Sequence, residues 1–179
     1  MKIGKLLIGI LFISFLACKT NSQTNNSSEN PIVQKNPTEY AGMRFPKPIG
    51  YVNDFENILT IEEISELEQL ISNYEKNTTK EIAIVTTDSI SPFDNIHRFS
   101  TEIASDWAIG KMEKNNGLII VVSKNLRQTA ISTGYETEKI LTDLICKKTI
   151  DSVMVPEFKN GEFYTGMKKG VDELIAKWK

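Results

Sequence analysis

Cysteine and histidine are almost missing from this chain of 179 residues, which holds two of the first and one of the second. One cysteine, Cys18, follows directly on an N-terminal apolar stretch, so the remainder carries Cys146 alone and an internal disulfide is excluded. A single histidine, His97, rules out a histidine cluster of the kind that holds zinc. A glycine-rich phosphate loop and an aspartate-rich nucleophile motif are likewise missing. There is no excess of positive charge either: 21 Lys and Arg stand against 23 Asp and Glu, a net charge of −2. Such a chain lacks the basic face of a nucleic-acid binder, so no nucleic-acid partner is expected. No apolar run reaches the roughly 20 residues of a membrane span, and no internal repeat is present.

What is there begins with an address. Met1 to Lys5 is a short basic segment, Leu6 to Phe15 an apolar core, and Leu16-Ala17-Cys18 its close. The core is too short to span a bilayer and reads as an export signal over residues 1–17. The close resembles the bacterial lipobox, with Phe15 where leucine is usual, so Cys18 is the expected lipidation site. More than one acyl chain on Cys18 would give stable attachment. The expected location is therefore the cell envelope, on the extracytoplasmic side of a bacterial membrane. Residues 18–48 are rich in Asn, Ser and Thr and hold four of the six prolines. They read as a disordered linker with a reach of roughly 30 Å for a flexible coil. Loss of residues 1–17 removes Lys2 and Lys5 and leaves a net charge of −4.

The rest, 49–179, is about 130 residues, enough for one domain with its own core. It is organised around Trp107 to Asp143. Gly117 to Val122 is a β-branched apolar run that predicts a strand buried on both faces. Lys124 to Arg127 separates it from a second strand, Gln128 to Thr133, making a hairpin. That hairpin would bring the polar loop Glu113-Lys114-Asn115-Asn116 beside Tyr135-Glu136-Thr137-Glu138 at one sheet edge, the expected place for any chemistry.

Upstream, Thr60-Ile61-Glu62-Glu63 is a capping box opening a helix with the stripe Ile61, Ile64, Leu67, Leu70, Ile71, Tyr74. Asp54, in the turn before it, suits either a ligand-facing carboxylate or a turn-forming one. Glu81 to Thr87 predicts a strand, and Ser91-Pro92-Phe93-Asp94 a second helix start running to Gly110. A right-handed crossover would make the strands at 81–87 and 117–122 parallel and put Asp88 at the end opposite Asn116. His97 reads as a half-buried surface residue. A third helix is predicted from Thr137 to about Val155, closed by Pro156, with Ile140, Leu141, Leu144, Ile145, Ile150 and Val153 inward. Cys146 falls on this apolar side, which suits an inert buried thiol better than a nucleophile. A last helix is predicted over 162–177. The sum is an α/β chain, a three-layer α/β/α sandwich on a small mixed sheet that includes a β-hairpin.

Several pieces together resemble the TPM domain family over residues 50–178: Val52-Asn53-Asp54, Trp107-Ala108-Ile109-Gly110, Asn116-Gly117 before Leu118 to Val122, Gly134-Tyr135 with Glu138 and Leu141-Thr142-Asp143, and Pro156 to Phe163. The resemblance implies an α/β/α sandwich in extracytoplasmic or lumenal proteins. It also implies three kinds of biochemistry: acid phosphatases, binders of calcium or another divalent cation, and accessory factors of membrane complexes. Family acidic positions fall on Asp54, Glu138 and Asp143. The family's Asp-Asn-Gly loop is here Asn115-Asn116-Gly117, one carboxylate short, and Glu136 is placed to replace that charge while Lys139 adds a positive one. The expected metal set is thus Asp54, Asn115, Asn116, Glu136, Glu138 and Asp143, oxygen donors suited to a hard cation. The expected function is a cation-binding accessory module for an envelope protein complex. The alternative is a metal-assisted acid phosphatase, in which the ion polarises a phosphoryl oxygen.

Overall fold

Val52–Asp54 forms a strand, β1, and it decides where the ends of the sheet lie. In a computed structural model, which describes residues 45–110 and 113–179, β1 pairs in parallel with β2 (Glu81–Thr86). In turn β2 pairs in parallel with β3 (Gly117–Ser123), and β3 pairs antiparallel with β4 (Gln128–Thr133), giving the order β1-β2-β3-β4. The expected parallel pair and hairpin are both present, with turn residues 124–127 between β3 and β4. All seven residues of β3 are buried, as its unbroken apolar run implies. The export signal, Cys18 and the linker up to residue 44 lie outside the described residues.

Helices clothe both faces. Helix α1 (Ile61–Thr78) starts at the expected capping box: the Thr60 hydroxyl accepts from the Glu63 amide at 3.2 Å, and the Glu63 carboxylate accepts from the Thr60 amide at 2.8 Å. Its Leu67 and Ile71 pack on Ile82, Ile84, Leu118 and Ile120, all fully buried or nearly so. Each such aliphatic side chain contributes about 1.5–3 kcal/mol by leaving water. The alternate strand residues, Ala83, Val85, Ile119 and Val121, face the other way. There helix α2 (Ile96–Asp106) supplies Phe99 and Ile103, and its Ser100 hydroxyl donates to Ser132 Oγ on β4 at 2.8 Å. The three-layer α/β fold is thus present. Strand order advances in one direction while α1 and α2 cover opposite faces, so the two strand–helix–strand crossovers have opposite hands. The usual right-handed preference holds for one of them.

Two helix expectations need correction. Helix α2 opens at Asn95, whose side chain accepts from the Arg98 amide at 2.8 Å, rather than at Ser91. Residues 91–94 form a turn with a cis Ser91–Pro92 peptide, and Phe93 is buried in stacking contact with Phe45. Phe45 also meets Phe99 edge-on, and the Pro46 carbonyl accepts from Trp107 Nε1, so the end of the expected linker is packed on the domain.

The predicted third helix is broken into α3 (Tyr135–Glu138), α4 (Asp143–Thr149), a π-helical turn (Ile150–Met154) and α5 (Val155–Lys159). Thr142 is extended and Asp143 begins a new helix, which drops Leu141 into the core. Ile140 and Leu144, expected inside, are 40% and 76% exposed. Pro156 does not end the helix. The wide turn before it, closed by the Val155 amide on the Ile150 carbonyl, lets the chain stay helical past a residue that cannot donate.

Helix α6 (Phe163–Lys177) completes the α1 side. Trp178 follows it, 2% exposed, and its carbonyl accepts from the Tyr74 hydroxyl at 2.8 Å and from Lys80 Nζ at 2.7 Å. Burial pushes the Tyr74 hydroxyl up to about 12 and lowers the Lys80 ammonium.

Candidate functional site

The two bends expected to be neighbours do meet, at the end of the sheet where β3 starts and β4 finishes. The Gly134 amide donates to the Gly117 carbonyl at 2.9 Å and the Glu136 amide to the Asn115 carbonyl at 3.2 Å. The approach is backbone to backbone: a Cβ on Gly134 would stand 2.3 Å from the Asn115 carbonyl oxygen. Gly110, at φ +84, lies equally close to Gly117, and its amide donates to Glu81 Oε2 at 2.7 Å. The Asn116 amide group donates to the Thr79 carbonyl at 2.7 Å, which fixes the direction of its oxygen.

Two oxygens at this junction stand out. Asn116 Oδ1 and Thr137 Oγ1 are buried, and no hydrogen-bond partner reaches either among the described residues. Leaving such a group unsatisfied costs about 1–3 kcal/mol, so water or a cation is the natural complement. Asn115 contributes its backbone carbonyl to the joint, while its side chain belongs to an exposed residue at φ +45. Glu136 is exposed and paired with Lys139 at 2.5 Å, so the added positive charge neutralises the carboxylate meant to replace the lost one. Glu138 is exposed on the same short helix.

The other two carboxylates are elsewhere. Asp54 lies level with Thr86 and Val122, five residue steps along β3 from Gly117, or roughly 16 Å at about 3.3 Å per residue. Its carboxylate accepts from the Ile58 amide (3.2 Å), the Leu59 amide (2.9 Å) and the Thr86 hydroxyl (2.5 Å), the turn-forming role. Asp88 is expected at the far end of the sheet, and Asp54 belongs there with it, because β1, which local sequence does not announce, pairs in parallel with β2. Asp143 lines a cavity of about 470 Å³ at the outer side of β4, together with His97, Cys146 and Lys147. A histidine and the thiol thus line one cavity, yet burial pushes Cys146 up to about 11, with the Asp143 charge adding to the effect. The thiol is therefore protonated at neutral pH and points at the Leu141 carbonyl, 3.6 Å away. Among the described residues no three His, Cys, Asp or Glu side chains converge on one point.

Sequence reasoning passed over Glu56. Its carboxylate accepts from the amides of Lys124 (2.9 Å) and Asn125 (2.7 Å), clamping the hairpin turn to the segment after β1. No local signal marks it, because the partners lie 68 and 69 residues away.

The comparisons agree with this architecture. The N-terminal domain of a P. gingivalis protein is similar at 26% identity and TM-score 0.66, over 75% of this chain and 92% of that one. The BA42 protein of the psychrophilic bacterium Bizionia argentinensis is similar at 23% identity and TM-score 0.59, over 70% and 88%. The N-terminal domain of the cg2496 protein of Corynebacterium glutamicum shares the fold at 14% identity and TM-score 0.58, over 76% and 86%. No match is found among curated proteins. The profile of the TPM domain covers residues 52–177, well over half of the sequence, and the chain belongs to the TPM domain family.

Proposed function

We propose that this TPM domain is a lipid-anchored, extracytoplasmic binding module of the bacterial envelope that holds a divalent cation at the paired bends and serves an envelope protein complex as an accessory factor. The observation that carries the cation is that two buried oxygens, Asn116 Oδ1 and Thr137 Oγ1, have no hydrogen-bond partner among the described residues and belong to two segments fastened by backbone hydrogen bonds. Neutral oxygens of this kind, with a carboxylate one residue away on Glu136, suit calcium. Release of Glu136 from Lys139 would supply the negative charge. With so few formal charges, affinity belongs in the weak class of extracellular modules, about 10⁻⁴–10⁻³ M. Support for a protein partner comes from the adjacent segment, where Tyr135 and Leu144 are 77% and 76% exposed.

The test is a calcium titration of the full chain followed by amide chemical shifts. Saturable changes at residues 115–117 and 134–138 are expected, weakened at least about tenfold by Thr137→Val and by Glu136→Gln. Asp54→Asn is expected to leave the affinity unchanged, because that carboxylate is at the other end of the sheet. Absence of any response at millimolar calcium removes the cation from the account. Turnover of a phosphomonoester that Thr137→Val and Glu136→Gln abolish would instead favour the phosphatase.

A further inference from the structure

At the opposite end of the β3–β4 ribbon lies a cavity of about 600 Å³, unrelated to the paired bends. Its floor is apolar, with Val122, Val155 and the Phe158 and Phe163 rings, which stack at 5.2 Å and 20°. Its rim carries Lys124 and Arg127 from the hairpin turn and Lys159 from the end of α5. Among the described residues no acidic side chain lines it. Of the neighbouring acids, Glu56 holds the Lys124 and Asn125 amides and Glu157 pairs with Lys169 at 2.7 Å, while Glu162, exposed between Gly161 and Phe163, is not among the lining residues. Lys124 Nζ sits 5.6 Å over the Phe163 ring. Three cations with no carboxylate partner among the described residues therefore face one apolar hollow, in a chain whose net charge is −2.

Arg127 adds an independent sign. Its φ is +55, a backbone conformation in which glycine is comfortable and a long side chain is not. The hairpin turn thus keeps a guanidinium on the rim at the one turn position where a smaller residue would relieve the backbone. Guanidinium and ammonium groups over aromatic rings recognise oxyanions that carry an apolar body.

From these features we infer that the cavity is a binding site for a small organic anion: a ring-sized apolar or aromatic body on the phenylalanine floor, with a phosphate-type or carboxylate head held by Lys124, Arg127 and Lys159. The volume falls in the range of small-molecule sites, about 300–1,000 Å³. The body excludes free inorganic anions as good ligands, and the rim excludes neutral ones. No reaction is assigned to the site.

The test uses three probes on the isotope-labelled full chain: phenylphosphonate, inorganic phosphate for the head alone, and benzyl alcohol for the body alone. Phenylphosphonate is expected to give saturable amide shifts confined to residues 122–129 and 155–163, and to bind at least about tenfold more tightly than either part. Arg127→Gly is expected to weaken phenylphosphonate about tenfold without lowering the melting temperature, and Lys124→Ala with Lys159→Ala to weaken it further. Equal affinity for all three probes, shifts outside those segments, or none at about 10 mM phenylphosphonate, overturns the site. Unchanged affinity in Arg127→Gly also overturns it. Because the bends lie at the other end of the ribbon, failure here leaves the calcium titration untouched, and the reverse.

Discussion

At the scale of single residues, burial and backbone donors decide what each polar group does. Cys146 is 6% exposed, and its thiol is pushed up to about 11 from 9.0. A raised acid pKa in the folded state means the native chain keeps a proton that the unfolded chain has lost between those values. Stability from this group is therefore complete below pH 9 and falls as pH rises toward 11, by at most about 3 kcal/mol. Urea midpoints measured from pH 8 to 10 should fall in the native chain and fall less steeply in Cys146→Ala; parallel slopes would show that the thiol titrates normally. The hydroxyl of Tyr74, up to about 12 through burial, adds a loss beginning one unit higher, and the lowered Lys80 ammonium acts in the opposite sense, so the difference between the two chains isolates the cysteine. Asp54 makes the same point for carboxylates. Two amides and a hydroxyl already take three of its roughly four lone-pair sites, and a motif position alone says nothing about that.

Among the elements, those specified by neighbours in sequence were legible. The capping box at Thr60 predicts the start of α1, and the apolar run 117–122 followed by four turn residues predicts the β3–β4 hairpin. Replacement of Thr60 by Ala should lower unfolding stability by about 1 kcal/mol, read from denaturant midpoints, because one helix amide loses its acceptor. Elements specified from a distance were not legible. Three residues, Val52–Asp54, carry too little alternation to announce a strand, and β2 rather than local sequence makes them one. The apolar period from Thr137 onward is real, yet burial of Leu141 and the extended Thr142 divide it, leaving Leu144 outside. The bend pair was legible because hairpin register dictates it. The separation of Asp54 and Asp143 from that pair was not, since it depends on parallel pairing and on where a broken helix lies.

For the molecule as a whole, a small sheet is covered on both faces by helices whose crossovers run in opposite senses, and its two ends offer different chemistry: buried oxygens at one, a basic-rimmed hollow at the other. Attachment through Cys18 is the proposed link between this domain and a membrane. Changing Cys18 to Ser should shift the protein from the membrane to the soluble fraction on fractionation of producing cells; continued sedimentation with membranes would show that another contact retains it.

Chain ends usually fray, but the carboxyl end of this domain is tacked down. With the Trp178 carbonyl shared between Tyr74 and Lys80, and the indole under the lysine ammonium at 5.3 Å, peeling away the last turn also strips α1 and the start of β2 of their contacts. Amide exchange near Trp178 therefore reports opening of the core itself, and any label joined after Lys179 begins its course beside the seam between the first helix and the last.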